Sequence, residues 1–232
     1  MSNREVVVVS AARTAIGTFG GSLKDTPTTE LGALVVREVL ARAAVPGADV
    51  GHVVFGHVVN TEPRDLYLSR VAALDGGCPD TTVAMNVNRL CGSGLQAIVS
   101  ASQAILLGDC DVAIGAGAEN MSRAPYLSLV SRFGARMGDA TLVDMMVGAL
   151  HDPFHKIHMG VTAENVAAQF GISRAMQDAL AVESHNRAER ASAEGRFKSQ
   201  IVPVLLKGRK GEVAFDTDEH FRPGCTLADM AK

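Results

Sequence analysis

The sequence has 232 residues, of which 47% are hydrophobic and 20% are charged, and its formal net charge is −3. That length allows one large domain or two small ones with a substantial core. The charge balance gives no electrostatic footprint for nucleic acid. We find no apolar run that approaches a membrane span and no signal-peptide pattern, and the four cysteines follow no metal or disulfide spacing. A cytoplasmic protein that binds neither nucleic acid nor membrane is therefore expected.

The first part of the chain alternates strand-like and helix-like patterns. The patterns predict strands at 5–10, 52–59, 82–88 and 111–118. They also predict intervening helices that begin near Thr26, Asp65 and Cys91. Alternation at this spacing is typical of a mostly parallel sheet with helices on its faces, joined by right-handed crossovers.

After about residue 122 this alternation stops. We predict helices at 141–150, from Thr162, and from Ser173 to Gly195, and a hairpin that pairs 201–206 with 212–215. We interpret residues 1–121 as an α/β unit and residues 122–232 as an inserted, loop-rich α+β subdomain over the active-site face.

Cys91 is the leading candidate for a catalytic nucleophile. The predicted strand 82–88 leads directly into Asn88-Arg-Leu-Cys-Gly-Ser-Gly-Leu-Gln-Ala97, after which apolar residues recur with helical period. Cys91 then lies on a sharp turn at a helix N-terminus, where backbone N–H groups and the helix dipole favour a thiolate. The small residues 92–94 leave room for a substrate, as at a nucleophile elbow. The alternative is a buried, inert cysteine.

The segment Asn88–Ala97 closely resembles the active-site segment of the thiolases. Three further segments agree with that family in the same order: Val8–Gly17, Gly115–Ser122 and His158–Val166. The resemblance runs from about residue 5 to the last residue and is greatest to biosynthetic acetyl-CoA acetyltransferases and broad-range bacterial β-ketothiolases. It implies a layered α-β-α fold, here the first βαβαβαββ half, with residues 122–232 as a loop subdomain that carries part of a coenzyme A (CoA) site.

The resemblance also implies a reaction. The cysteine takes an acyl group from an acyl-CoA as a thioester, and the carbanion of a second acetyl-CoA attacks it to give a 3-ketoacyl-CoA, or the reverse. No metal or external cofactor is implied, because CoA thioesters are the substrates. Members form homodimers or homotetramers, and the strand before the cysteine, here Val83–Val87, belongs at the dimer contact.

Four further residues are assigned to CoA only through the resemblance. Leu150, His158 and Met159 match positions beside the pantetheine, and Arg222 matches an arginine at the nucleotide end. Ordinary loop packing and a solvated arginine are the alternatives. The three histidines in 151–158 also invite a metal interpretation, but Pro153 breaks any helix that would align them, and we expect no metal.

The thiolases contain two similar halves, and we find no second alternating block in this sequence. The family's Gly-His-Pro, Asn-Glu-Ala-Phe and Cys-x-Gly-Gly-Gly segments have no counterpart among the 232 residues. We therefore expect the chain by itself to be inactive. Two functions remain as alternatives: a non-catalytic, CoA-binding fragment, and a degradative thiolase for longer 3-ketoacyl-CoA substrates.

Overall fold

A computed structural model describes residues 4–208 and 211–231. Its helices are α1 (Thr28–Ala43), α2 (Leu68–Asp75), α3 (Ser93–Leu107), α4 (Met145–Ala149), α5 (Met159–Phe170), α6 (Arg174–Ala193) and α7 (Leu227–Met230). Its strands are β1 (Arg13–Thr14), β2 (His52–Gly56), β3 (Val83–Val87), β4 (Ala113–Gly117), β5 (Tyr126–Ser128), β6 (Leu142–Asp144), β7 (Ile201–Val202), β8 (Val204–Gly208) and β9 (Gly211–Phe215).

Three parallel strands form the central sheet, in the order β3-β2-β4. The middle strand β2 is buried on both faces. Val53 and Phe55 pack against α1 and α2, whereas Val54 faces Ala97 and Ala101 of α3. This alternation follows from the period of two along a strand. The predicted parallel sheet with helices on both faces is confirmed for these three strands.

Glycines let α3 lie directly on the sheet. A Cβ atom on Gly56 would lie 2.4 Å from the backbone carbonyl carbon of Ser93, and one on Gly115 would lie 2.6 Å from the Cα of Ile98. Both partners are helix backbone, which cannot move aside as a side chain does. Glycine at 115 therefore permits the close approach of the α3 backbone to β4.

We expect Gly56→Ala to destabilise the fold by about 1–3 kcal/mol, because the added methyl group must displace the first turn of α3. Chemical denaturation measures the change in the free energy of unfolding. Gly94→Ala is the matched control, since a Cβ there meets no atom within 4 Å. Equal stability of the two variants would contradict the close approach of helix and strand.

The predicted strand at 5–10 is wrong as a sheet strand. Residues 4–10 form no strand, and Val7, Val8 and Val9 are largely exposed. Pairing begins later, where Arg13–Thr14 forms a parallel bridge to Ile201–Val202. A run of valines has the propensity for a strand, but a ladder also needs a neighbouring backbone edge.

The second part of the chain matches the expectations in places. α6 begins after Ser173, whose hydroxyl accepts a hydrogen bond from the N–H of Met176, and it stops just before Gly195. β8 and β9 pair antiparallel, which confirms the predicted hairpin from residue 204 onward, whereas Ile201–Val202 pairs with β1 instead. Residues 209 and 210 of the hairpin turn lie outside the described residues. The predicted helix 141–150 is wrong in its first part, which is strand β6.

The predicted helix start at Thr162 is also wrong. α5 begins at Met159, and the Nδ1 atom of His158 accepts a hydrogen bond from the N–H of Gly160 as its cap. Threonine is a common cap, but here the imidazole nitrogen satisfies the exposed N–H one turn earlier.

Residues from the second part are packed and hydrogen-bonded onto the first. Val204 and Phe215 share a buried cluster with Ala15, Leu23 and Leu31. Beyond this cluster, Asp218 forms a bidentate ion pair with Arg13, at 2.8 and 2.9 Å. Glu219 accepts hydrogen bonds from the backbone N–H groups of Thr18 and Ser22. These contacts fix the 13–22 loop against the 216–219 segment.

One expectation about membranes is corrected. By length and composition alone, the stretch Leu90–Leu107 could cross a membrane, and only 22% of it is buried. In the fold, α3 packs its small face, Ala97 and Ala101, on the sheet and leaves Leu95 and Leu107 exposed. A core helix of a water-soluble protein meets the same length and composition criteria, so α3 is an apolar helix with one partnered face.

Candidate active site

The carboxyl ends of the three parallel strands meet at one edge of the sheet. The N–H of His57, just after β2, donates to the carbonyl of Val87 at the end of β3. The N–H of Ala118, just after β4, donates to the carbonyl of Gly56. Ligands of open α/β sheets bind at this edge, outside the carboxyl ends of the strands. Cys91 lies here, four residues after the end of β3.

A hydrogen-bonded turn holds Cys91 between β3 and α3. Leu90 has a left-handed φ of 47°, which is rare for a branched residue. The Ser93 hydroxyl accepts from the N–H of Arg89 at 2.8 Å and donates to the carbonyl of Leu90 at 2.6 Å. The Asn88 side chain accepts from the N–H of Leu90. These bonds keep the backbone in a strained turn, as is common at functional sites.

Cys91 is exposed and stands two residues before the first residue of α3. Its own backbone N–H donates to no acceptor among the described residues. The thiol can attack a thioester carbonyl, and the free N–H of the same residue can donate a hydrogen bond to the oxygen that becomes negative.

The other three cysteines differ from Cys91 in their surroundings. Cys78 and Cys225 are buried. Burial raises the pKa of the Cys78 thiol, and burial together with Asp109 and Asp111 raises the pKa of the Cys110 thiol. A raised pKa lowers the fraction of reactive thiolate at neutral pH. Cys91 is therefore the thiol best placed to react.

The structure brings together three of the residues that the family resemblance assigns to CoA. The N–H of Met159 donates to the carbonyl of Leu150 at 2.9 Å, beside an antiparallel bridge between His151 and His158. His158 and Met159 are exposed at the start of α5, and Leu150 is half-buried. A partly apolar surface with one polar ring suits a pantetheine arm.

Arg222 lies on a different segment. Its backbone N–H donates to the Nδ1 atom of His185, and the N–H of Gly224 donates to Glu189, so α6 carries this turn. The Arg222 side chain is exposed and forms no hydrogen bond or ion pair within the described part of the chain. Its guanidinium group is available for a phosphate or an adenine ring.

Two of the three histidines of 151–158, His151 and His158, are engaged in other contacts. The Nδ1 atoms of His151 and His158 bond to the Val147 carbonyl and the Gly160 N–H, and the two rings meet edge to face, with centroids 5.2 Å apart. Within residues 4–208 and 211–231, no group of three or more His, Cys, Asp or Glu side chains is arranged to hold a metal ion.

Sequence reasoning missed a polar cluster near the ends of β2 and β4, in which His57 and Asp65 are buried and Glu119 is exposed. His57 has a side chain only 2% exposed, and its Nδ1 atom lies 2.8 Å from the carbonyl of Ala118. Glu119 accepts from the N–H groups of Val58 and Val59. Asp65 is completely buried, and its Oδ2 atom lies 3.9 Å from the Nε2 atom of His57. The sequence marks Glu119 only as part of the segment Gly115–Ser122 and Asp65 only as a helix start. It does not indicate that they lie near His57, because these residues meet only when the strand ends are brought together.

The family model of the thiolase N-terminal domain matches residues 6–232. The chain belongs to the thiolase family. Beta-ketothiolase BktB of Cupriavidus necator is 72% identical over 229 residues, which cover 99% of this chain and 58% of that protein. An acetyl-CoA acetyltransferase of the same organism is 49% identical over 229 residues, covering 98% of this chain and 58% of that protein.

Solved thiolase structures agree with the fold. The crystal structure of the Bacillus anthracis acetyl-CoA acetyltransferase matches with a TM-score of 0.93 at 40% identity, over 97% of this chain and 57% of that one. Human mitochondrial 3-ketoacyl-CoA thiolase matches with the same TM-score at 37% identity, over the same shares of the two chains. The thiolase-like α/β fold is confirmed, and the chain spans about 58% of the length of these relatives.

Proposed function

We propose that this chain is the part of a β-ketothiolase that carries the acyl-accepting cysteine. Cys91 attacks the carbonyl carbon of an acyl-CoA, a carbon–sulfur bond forms, and CoA leaves as the thiol with the proton that Cys91 lost. A second acetyl-CoA loses an α-proton, and its carbanion attacks the carbonyl carbon of the Cys91 thioester. A carbon–carbon bond forms, the bond from that carbon to the Cys91 sulfur breaks, and a 3-ketoacyl-CoA leaves while the Cys91 sulfur regains a proton. The exposed thiol of Cys91 beside its own unpaired N–H supports this role most directly.

Thiolase chemistry suits a cysteine because the acylated enzyme is itself a thioester. The first step breaks one thioester bond and forms another, so its free-energy change is small and it can run in either direction. The Cys91 N–H serves one of the two oxygens that become negative. The base that activates Cys91 and the group that moves the α-proton belong to polypeptide that the relatives have beyond the part matched here.

The proposed CoA site uses Leu150, His158 and Met159 along the pantetheine and Arg222 near the nucleotide. The backbone contact between Leu150 and Met159, and the unpaired guanidinium of Arg222, support these assignments. We infer no metal or external cofactor, because CoA thioesters carry the activated acyl group. The division at 121/122 remains a prediction, and so does a cytoplasmic location.

We also propose a homodimer or homotetramer in which β3 lies at the subunit contact. β3 is one of the two edge strands of the three-stranded sheet that the structure describes, and Val83 and Met85 expose 57% and 41% of their surface. An apolar edge strand of this kind is a ready site for pairing with another chain.

Thiolysis of acetoacetyl-CoA by CoA tests the function. We expect turnover when the chain is combined with a polypeptide that supplies the remainder of the relatives' length, and little from the chain alone. The 49% identity to an acetyl-CoA acetyltransferase supports a short substrate. Faster turnover of a long-chain 3-ketoacyl-CoA would favour the degradative alternative, and no turnover in the combined sample would favour the non-catalytic one.

A further inference from the structure

The hydroxyl group of Ser93 bonds to the turn before it and not to the helix that it begins. It accepts a hydrogen bond from the N–H of Arg89 at 2.8 Å and donates one to the carbonyl of Leu90 at 2.6 Å. A serine at a helix start usually accepts from an N–H two or three residues later. At α3 the capping position is Gly92, without a side-chain cap. The Ser93 hydroxyl therefore serves the turn that carries Cys91.

The carbonyl that Ser93 holds belongs to the same peptide group as the N–H of Cys91. The Leu90 carbonyl accepts from both the hydroxyl and the backbone N–H of Ser93, at 2.6 and 2.9 Å. This peptide is trans, and the C=O and N–H of a planar trans peptide point in opposite directions. Because the Leu90 carbonyl is directed at Ser93, the N–H of Cys91 is directed away from it. That N–H donates to no acceptor among the described residues, so it is available to a ligand.

Ser93 is itself fixed firmly in the fold. Only 4% of its surface is exposed. Its backbone lies against the end of β2, where a Cβ atom on Gly56 would come within 2.4 Å of the Ser93 carbonyl carbon. The methyl group of alanine would fill the side-chain space almost as well as serine does. The hydroxyl group is therefore required by its two bonds to the turn rather than by packing.

We propose that Ser93 is a positioning residue for acyl transfer, which aims the backbone N–H of Cys91 at the oxygen of the thioester under attack. This role rests on the proposed function of Cys91 as the acyl acceptor. As the Cys91 sulfur bonds to the carbonyl carbon, an electron pair of the C=O bond moves to the oxygen, which becomes negative. The pair returns when the bond to the leaving sulfur breaks. The Ser93 hydroxyl keeps its proton throughout.

Two physical effects connect the hydroxyl to the reaction. A donor that is already aimed at the developing charge needs no reorganisation during the reaction, which is why such donors accelerate acyl transfer. A hydrogen bond accepted by a peptide C=O also polarises the peptide and strengthens its N–H as a donor. The left-handed φ of 47° at Leu90 is unfavourable for that residue. Without the hydroxyl, the peptide between Leu90 and Cys91 is free to rotate away from this orientation.

The test compares two reactions of the Cys91 thiol in the sample that combines this chain with the remainder of the relatives' length. p-Nitrophenyl acetate acylates the thiol through a negatively charged oxygen. Iodoacetamide alkylates it at a saturated carbon, and no such oxygen develops. Mass spectrometry of the Cys91 peptide measures both rate constants. We expect Ser93→Ala to slow acylation by at least about tenfold and to change alkylation by less than about threefold. General disorder of the turn would change both rate constants together.

Ser102→Ala is the matched control, because Ser102 also lies on α3 and its hydroxyl donates to a backbone carbonyl, that of Ile98, at 2.9 Å. Both of its rate constants should stay within about twofold of the unmodified protein. Ser93→Thr and Ser93→Val form a second pair of similar shape, of which only Ser93→Thr keeps the hydroxyl. We expect acylation at least about tenfold faster in Ser93→Thr than in Ser93→Val, with similar alkylation. This pair decides the question if Ser93→Ala fails to fold.

Equal fractional changes of the two rate constants in Ser93→Ala, or equal acylation of Ser93→Thr and Ser93→Val, would overturn the positioning role. Neither reagent contains CoA, so the comparison does not depend on turnover of an acyl-CoA. If acetyl-CoA fails to acylate Cys91 while acylation by the ester depends on Ser93, the proposed thiolase function fails and the orientation by Ser93 holds. If acetyl-CoA acylates Cys91 and the ester reaction ignores Ser93, the function holds and the positioning role fails.

Discussion

We expect Cys91→Ala to abolish acetoacetyl-CoA thiolysis, the proposed activity, in the sample that combines this chain with the remainder of the relatives' length. We expect a loss of at least about 10⁴-fold in kcat, because the covalent intermediate cannot form and no neighbouring thiol can replace it. The backbone N–H of residue 91 and the CoA surface remain in the variant, so CoA binding should change little. The thiolysis rate and the Kd for CoA are the two measurements.

Cys110→Ala is the matched control for that variant. Cys110 is also a free thiol that is not fully buried, but it lies at the opposite end of α3, and its pKa is raised. Its replacement should leave the rate within about twofold of the unmodified protein. A similar loss of rate in both variants would remove the special role of Cys91.

Asp65→Ala is expected to cause the largest loss of stability. The carboxylate is completely buried and accepts hydrogen bonds from the Thr28 hydroxyl, from the N–H and hydroxyl of Thr61 and from the N–H of Glu62. Removing it leaves several buried donors without an acceptor, which costs about 3 kcal/mol. Denaturant unfolding measures the change, with the exposed Asp80→Ala as control.

The same carboxylate gives a pH dependence with a defined sign. Burial by itself would raise the pKa of Asp65, but hydrogen bonds from Thr28, Thr61 and Glu62 outweigh it and lower the pKa. Because the folded pKa lies below the unfolded one, the stabilisation is present above the unfolded value of about 3.9 and is lost as the pH falls through the folded pKa. Between pH 5 and pH 2, the free energy of unfolding should decrease by roughly 1 kcal/mol less in Asp65→Ala than in the unmodified chain. Thermal unfolding at each pH measures this decrease.

Hydrogen bonds and ion pairs also lower the pKa of two other carboxyl groups. The ion pair with Arg13 lowers the pKa of Asp218, and hydrogen bonds from Ser22 and Thr18 lower that of Glu219. Like Asp65, both groups stabilise the fold when ionised and lose that contribution as the pH falls. Part of the acid dependence of stability therefore remains in Asp65→Ala. A steeper fall in Asp65→Ala than in the unmodified chain would contradict the hydrogen-bond arrangement.

The sequence predicted the elements whose residues carry a periodic pattern and a clear end signal. β3 and α3 were predicted within about two residues because the apolar period changes from two to 3.6 at Cys91. The Ser173 hydroxyl marked the start of α6. Local chemistry decides such boundaries, so one sequence is enough to locate them.

The errors fall where a partner distant in sequence decides the structure. The valines at 6–9 resemble a buried strand, yet their backbone forms no hydrogen bond with a neighbouring strand within the described residues. α5 begins at Met159, capped by His158, rather than near Thr162, because the bridge between His151 and His158 sets where the chain turns. Asp65 was predicted as a helix cap, and it instead joins a buried network to Thr28, 37 residues earlier. The periodicity of the sequence carries no information on contacts between residues that are distant along the chain.

The candidate site shows the same division. A motif located Cys91, and its exposure on the turn before α3 agrees with the geometry expected of a nucleophile. The contacts of His57 and Glu119 at the adjacent strand ends depend on β2 and β4 lying side by side, which the sequence could not specify.

The most direct measurement is an intact-mass spectrum of the chain after incubation with acetyl-CoA, followed by peptide mapping. It is made with and without the remainder of the relatives' length. We expect one acetyl group on the peptide that contains Cys91, removed by hydroxylamine and absent in Cys91→Ala. The buried Cys78 and Cys225 should stay unmodified. An acetyl group on another cysteine, or none on Cys91 in the combined sample, would contradict its assignment as the acyl-accepting nucleophile.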